Sequence, residues 1–417
     1  MTDVGVTGSE NGRRARVLAV LAVFGPGLLA GLSDDDPAGI TTYSVLGAEH
    51  GYRLLWVLTA STVALIMFHQ LAARMGVATG QGLVGLVRQR SGVRRAALVT
   101  GPLLVANIGT TCAEYAGIAA GFELFGVSRY VSVPLAAVTV AAFVMRANFH
   151  RVEHVLMAVS AVFLTYIASA VLAHPDWSAA AAGLVVPRLP TTRDAVLIAT
   201  ATVGTTLAPW GLSFIQSYAV DKRLTPRDLR YENLDVIVGS VLTGVIGFFV
   251  VVACAATLHR TGTPIDEAAD AARALEPVAG SMASTLFAVG LIGCALLAAA
   301  ILPLSTAYSV CEFVGTEAAL DDDVRQAPLF YGSMGAVVVI SAVIVLLPGI
   351  SLIPVMVLTQ VLNAVLLLPL LVFMVSAGRD VDLMGDLATG RRGAIAQGAV
   401  IAVVTVCVGA LGVLAVT

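Results

Sequence analysis

Long apolar runs recur from Val17 to the C-terminus, and they decide what this chain can become. About 20 consecutive apolar residues cross a bilayer as a helix. None of the runs alternates strictly between apolar and polar residues, so membrane-spanning strands closed into a barrel are excluded. Hydrophobic residues make up 58% of the 417 and charged residues 12%. A soluble domain has about a quarter charged, so little mass is left outside the bilayer. The expected fold class is an all-α polytopic membrane protein.

Eleven membrane helices are predicted, at about 17–47, 54–75, 96–121, 130–147, 152–173, 194–220, 231–258, 284–313, 328–347, 351–377 and 393–416. Residues 1–16 form an N-terminal segment, and 17–417 a single transmembrane domain. The start, "RRARVLAVLAVFGPGLLAG", has the basic head and apolar run of a signal peptide. Apolar character resumes at once after it, which favours a first membrane helix. The only long connections are about 174–193 and 259–283. If the N-terminus is cytoplasmic, 18 of the 24 Lys and Arg residues fall inside, including Arg88, Arg90, Arg94 and Arg95. The bias predicts N-terminus in, C-terminus out, in a cell membrane of the bacterial inner-membrane type.

Two helices are interrupted, the first at Asp34–Pro37 and the sixth at "TTLAPWGLS", Thr205–Ser213. Helices one and six fit two five-helix repeats, about 17–173 and 194–377, with an extra helix at 393–416. Paired interruptions at corresponding places point to a transporter site near the midplane. Proline lacks an N–H, so Pro37 releases the carbonyl of Ser33 and Pro209 that of Thr205. Pro37 also suits the first position of a new half-helix, which makes Asp36 its N-cap. Gly39 and Gly211 have no side chain to keep an ion or its water away. One carboxylate plus carbonyls is a hard-oxygen set suited to Mg²⁺, Mn²⁺ or Ca²⁺. The bland alternatives are a solvated loop at Asp34–Asp36 and a plain kink at Pro209.

These residues resemble the Nramp metal-ion transporters. "GPGLLAGLSDDDPAG", "GYRLLWVLTAS", "QLAARMGVATGQGL", "CAEYAG", "RVEHVL" and "RDVDLMGD" carry the likeness over most of the chain. The resemblance implies a LeuT-like inverted repeat of five plus five helices. That family has Asp-Pro-Gly-Asn in helix one and Met-Pro-His in helix six. Asp36 and Pro37 match, but Gly39 stands at the Asn. Ala208 replaces the methionine, Trp210 the first histidine and Thr111 an acidic residue, while Glu114 is kept. The implied ligands are Asp36 with oxygens around Ser33, Gly39, Thr205 and Ala208. The pattern is similar to the Nramp-related magnesium transporters, described as carrying Mg²⁺ and Mn²⁺ without proton coupling.

Other polar residues are secondary candidates. Glu114 is an intramembrane acid, hence a functional candidate or a structural hydrogen-bond partner. Asp34 and Asp35 are expected at the mouth of the site, attracting cations or simply solvated. Gln360 matches a family glutamine in helix ten, and Asn363 lies one turn on; interhelical hydrogen bonding is the alternative for both. His69 and Gln70 mark an exit path, and Trp210 fills volume beside the site. The five cysteines show neither metal nor disulfide spacing and read as small buried residues. The net charge of −3 says nothing about nucleic acid, and no nucleic-acid partner is expected. No Walker motif, nucleophile elbow or paired-histidine signature is present, so the protein is expected not to be an enzyme. The expected function is a monomeric secondary carrier of Mg²⁺ and Mn²⁺, with no cofactor beyond the transported ion. Alternatives are a proton-coupled Mn²⁺/Fe²⁺ symporter, a cation channel and an organic-substrate transporter.

Overall fold

The computed structural model describes residues 35–145, 161–188, 190, 192–316 and 324–416. Ser33, Asp34 and the N-terminal segment lie outside the described residues, as do the acidic run 321–323 and the start of the fifth expected span. Among the described residues there is no strand. Thirteen helices carry the architecture: α1 (Pro37–His50), α2 (Leu55–Thr79), α3 (Leu83–Glu123), α4 (Arg129–Met145), α5 (Thr165–Leu172), α6 (Trp177–Val185), α7 (Arg193–Thr206), α8 (Pro209–Asp221), α9 (Leu229–Cys254), α10 (Ala283–Val314), α11 (Pro328–Val345), α12 (Leu352–Gly378) and α13 (Arg391–Val416).

Eight helical stretches among the described residues are long and apolar enough to cross a membrane. Two shorter apolar helices, Arg129–Ala142 and Val162–Leu172, stand at two further expected spans. Together they account for ten of the eleven expected spans, and α1 is the described part of the first. One helix start and both long connections differ from expectation. α3 starts at Leu83 rather than at 96, because the arginine-rich stretch read as a loop is helical. Gly92 (φ 77°, ψ 168°) breaks the helical path there, a conformation that glycine adopts without a Cβ penalty. The long connections are partly helical too: α6 occupies the first, and Ala268–Ala272 and Glu276–Ala279 the second.

Burial sorts the helices into centre and rim. The most apolar window of α7–α8 is 94% buried, that of α11 39% and that of α13 22%. α3 packs against α10, α11 and α12, and α7 packs against α12, α1 and α2. The crossing of α7 over α12 depends on Gly204, where a Cβ would lie 1.9 Å from the Gln360 carbonyl oxygen. Small residues allow such approach where no hydrophobic force favours one apolar helix over lipid. The interrupted pair α7–α8 therefore sits in the middle of the bundle.

Candidate metal site

Proline chemistry shapes both interruptions. Asp36 is extended (φ −74°, ψ 170°), Pro37 is the first residue of α1, and the Asp36 Oδ1 accepts a hydrogen bond from the Gly39 N–H at 2.5 Å. The aspartate thus caps α1, as its place before a helix-starting proline requires. In the sixth span, α7 ends at Thr206, Leu207 (φ −114°, ψ 69°) and Ala208 (φ −77°, ψ 139°) leave helical geometry, and α8 starts at Pro209. The Pro209 nitrogen carries no hydrogen, so the Thr205 carbonyl gets no bond from it. The Thr205 hydroxyl is buried with no hydrogen-bond partner.

The site is buried and acidic. Asp35 is 2% exposed, Asp36 4% and Glu114 0%. Neither oxygen of Asp35 or of Glu114 has a well-formed hydrogen bond. Asp35 is therefore not in a solvated mouth, which corrects the expectation for it: the turn at 35–36 tucks both carboxylates inside the bundle. Glu114 on α3 faces Asp36 closely enough for the two carboxyl groups to interact. Gly117, on the same face of α3, allows this. A Cβ there would fall 2.2 Å from Pro37 Cβ, so the helix backbone rests on the proline ring. Unpaired buried carboxylates are costly, and a cation among them removes the cost. Among the described residues no three His, Cys, Asp or Glu side chains are grouped so as to hold a metal ion. Any cation here must also take carbonyl, hydroxyl or water oxygens.

Other candidates fall into place around this cluster. Trp210 is buried and packs with Ala208, Phe214, Leu297, Ala298, Ile301 and Leu302, filling volume beside the break. Gln360 and Asn363 are bonded rather than free: the Asn363 Nδ2 donates to Gln360 Oε1 and to Thr110 Oγ1, both at 2.9 Å. Asn363 therefore ties α12 to α3, the interhelical role held open for it. Gly211 does not face open space, because a Cβ on it would lie 3.1 Å from His69 Nε2. His69 is buried against the start of α8, and its Nε2 has no partner.

Two residues escaped the sequence reading. Tyr43 Oη and Thr206 Oγ1 are hydrogen-bonded at 2.9 Å, which joins the second turn of α1 to the last residue of α7, at the interruption of the sixth span. A tyrosine within an apolar half-helix was the available signal. Cys294 on α10 lies within electrostatic reach of Glu114, Asp36 and Asp35. Its thiol donates to the Leu291 carbonyl at 3.3 Å. The neighbourhood expected to lack sulfur contains one. Cys294 lies within an all-apolar stretch of α10, so nothing in its local sequence signals the carboxylates nearby.

Comparisons with known proteins agree with this architecture. The family model described as Nramp, natural resistance-associated macrophage protein-like, matches residues 27–414. A "Divalent metal cation transporter MntH" of Burkholderia ambifaria is 31% identical over 296 residues, covering 67% of this chain and 66% of that protein, just under two thirds of its length. One of the same name from Granulibacter bethesdensis is 26% identical over 384 residues, covering 89% and 83%. A crystal structure of the Eremococcus coleocola manganese transporter, bound to an aromatic bis-isothiourea substituted compound, superposes with a TM-score of 0.74 at 18% identity. The superposition covers 97% of this chain and 87% of that one, and the shared fold is LeuT-like. With a family match along nearly its whole length, the chain belongs to the Nramp family.

Proposed function

We propose that this protein carries divalent metal cations across a membrane by alternating access, taking Mg²⁺ and Mn²⁺ without a coupled proton. The observation behind it is the buried carboxylate pair of Asp36, at the start of α1, and Glu114, on α3, with Asp35 buried next to Asp36, in a bundle whose central span is also broken. Such a cluster is stable when a cation occupies it. The names of the similar proteins, divalent metal cation transporters and a manganese transporter, support the substrate class. Asp36 is the anchoring ligand. Carbonyls near Thr205 and Ala208, with retained waters, complete the shell, and Gly39 leaves it room. Ala208 in place of the family's methionine favours Mg²⁺, which keeps several waters when bound. The protein works as a monomer in a bacterial cytoplasmic membrane, with the arginine-rich end of α3 inside.

The second reading is a proton-coupled Mn²⁺ symporter. Cys294 beside the carboxylates favours it, since sulfur prefers transition metals over Mg²⁺. Uptake into proteoliposomes carrying an internal pH dye separates the two. The expected result is Mn²⁺ uptake inhibited by millimolar Mg²⁺ with no internal acidification. Acidification driven by metal overturns the uncoupled reading, and indifference to Mg²⁺ overturns Mg²⁺ as a substrate.

A further inference from the structure

We propose that Glu312 is a positioning residue for transport: its half-buried carboxylate caps α3 from outside that helix, ties α8 to it, and so closes the arginine-rich end of the cation path. The proposal rests on the carrier reading above.

α3 starts without a side-chain cap of its own, because Gly82 stands at its N-cap. Glu312, near the far end of α10, supplies one. Its Oε2 accepts from the Val84 N–H at 3.0 Å and the Gly85 N–H at 3.2 Å. Its Oε1 accepts from the Ser217 hydroxyl of α8 at 2.7 Å. A Cβ on Gly82 would lie 1.7 Å from that Oε1, so the missing side chain is what admits the carboxylate. Free N–H groups and the positive end of the helix dipole make this place favourable for an anion. One side chain thus joins three helices. A second bond reinforces the junction: Gln216 Nε2 donates to the Gln81 carbonyl at 3.0 Å.

The position of this clasp gives it a role. α8 starts at the interruption beside the acidic cluster, and Ser217 lies about 12 Å further along its axis at 1.5 Å per residue. A rigid half-helix that pivots at the interruption swings its far end away from α3. Alternating access by such a tilt requires the Ser217 and Gln216 bonds to open. Every group in the clasp is polar and can exchange its partner for water on opening. A cavity of about 620 Å³ adjoins it, lined by Gly82, Arg88, Ser217, Cys311 and Glu312 among others. Cys311 lines that cavity yet is only 3% exposed, which makes it a native reporter of opening.

The test uses the full chain in nanodiscs with a charged maleimide, and peptide mass spectrometry to read each native cysteine separately. Ser217→Ala removes one bond from the clasp and Glu312→Gln weakens all of it. Alkylation of Cys311 is expected to rise at least about tenfold in both, the change expected from losing a hydrogen bond to a charged group. Cys254, fully buried in α9, stays unlabelled. In proteoliposomes the same variants change turnover several-fold and leave the KM for Mn²⁺ within about twofold, since Glu312 does not touch the cation. An unchanged Cys311 rate overturns the proposal. So does a joint rise at Cys311 and Cys254, which marks a purely structural cap whose loss unfolds the protein. The labelling needs no transport, so a wild-type protein that moves no metal overturns the carrier reading by itself.

Discussion

Asp36 divides its carboxylate between two tasks, and the division can be tested. Oδ1 holds the Gly39 N–H and starts α1, while the charge faces Glu114. Asparagine caps a helix as well as aspartate does. Asp36→Asn is therefore expected to keep the thermal unfolding midpoint near wild type and to lower Mn²⁺ uptake at least about tenfold through loss of the ligand charge. Asp36→Ala adds the loss of the cap, about 1 kcal/mol. Normal uptake by either variant would remove Asp36 from the site. Tyr43→Phe removes the bond to Thr206 and is expected to cost about 1 kcal/mol in chemical unfolding, with most of the shape preserved.

At the level of elements, the acidic site depends on how closely α3 approaches α1. Gly117→Ala places a Cβ 2.2 Å from the Pro37 ring, so one helix must move. The expected cost is about 1–3 kcal/mol, with loss of metal uptake because Glu114 is carried away from Asp36. Gly109→Ala on the same helix is the control: its nearest neighbour is a flexible Leu362 methyl at 3.4 Å, and near-wild-type stability and uptake are expected. Arg90, on the first segment of α3, pairs with Asp380, which caps the short helix Val381–Met384. The Arg90 guanidinium, helped by the Leu383 and Asp382 amides, holds the Asp380 carboxyl below its usual range. A lowered folded pKa stabilises above the unfolded value of about 3.9 and is lost as pH falls through the folded one. Asp380→Asn should thus melt below wild type at pH 7, and the two melting temperatures should converge as pH falls through the lowered folded value.

Across the whole molecule, the driving force for an uncoupled carrier is the membrane potential. A divalent ion entering a negative interior gains about 2 × 2.3 kcal/mol per 100 mV, enough for accumulation of more than about a thousandfold at ~1.4 kcal/mol per decade. Uptake is therefore expected to rise steeply when a potassium diffusion potential makes the vesicle interior negative, and to be insensitive to an imposed pH gradient. A pH gradient that drives uptake at zero potential would identify a symporter instead. The burial order fits a moving centre: α7–α8, which carries the interruption, is the most enclosed stretch, and α13 lies at the rim.

Sequence alone determined what is local. Apolar length located ten described spans, because a bilayer of fixed thickness demands it. Proline located both interruptions and made Asp36 a cap, because a missing N–H acts on its own helix wherever that helix packs. The arginine-rich start of α3 falls outside the spans that apolar length predicts, because its charges interrupt any apolar run, yet it is helical and its Arg90 pairs with Asp380. Tertiary structure decided which faces meet. Helices apolar on every side carry no stripe that announces a partner. Nothing local could bring Glu114 to Asp36, place Cys294 beside them, join Tyr43 to Thr206, bury Asp35 or lead Glu312 to the uncapped end of α3. Those pairings come from backbones brought close at Gly117, Gly204 and Gly82, where the absence of a side chain takes its meaning from the helix on the other side.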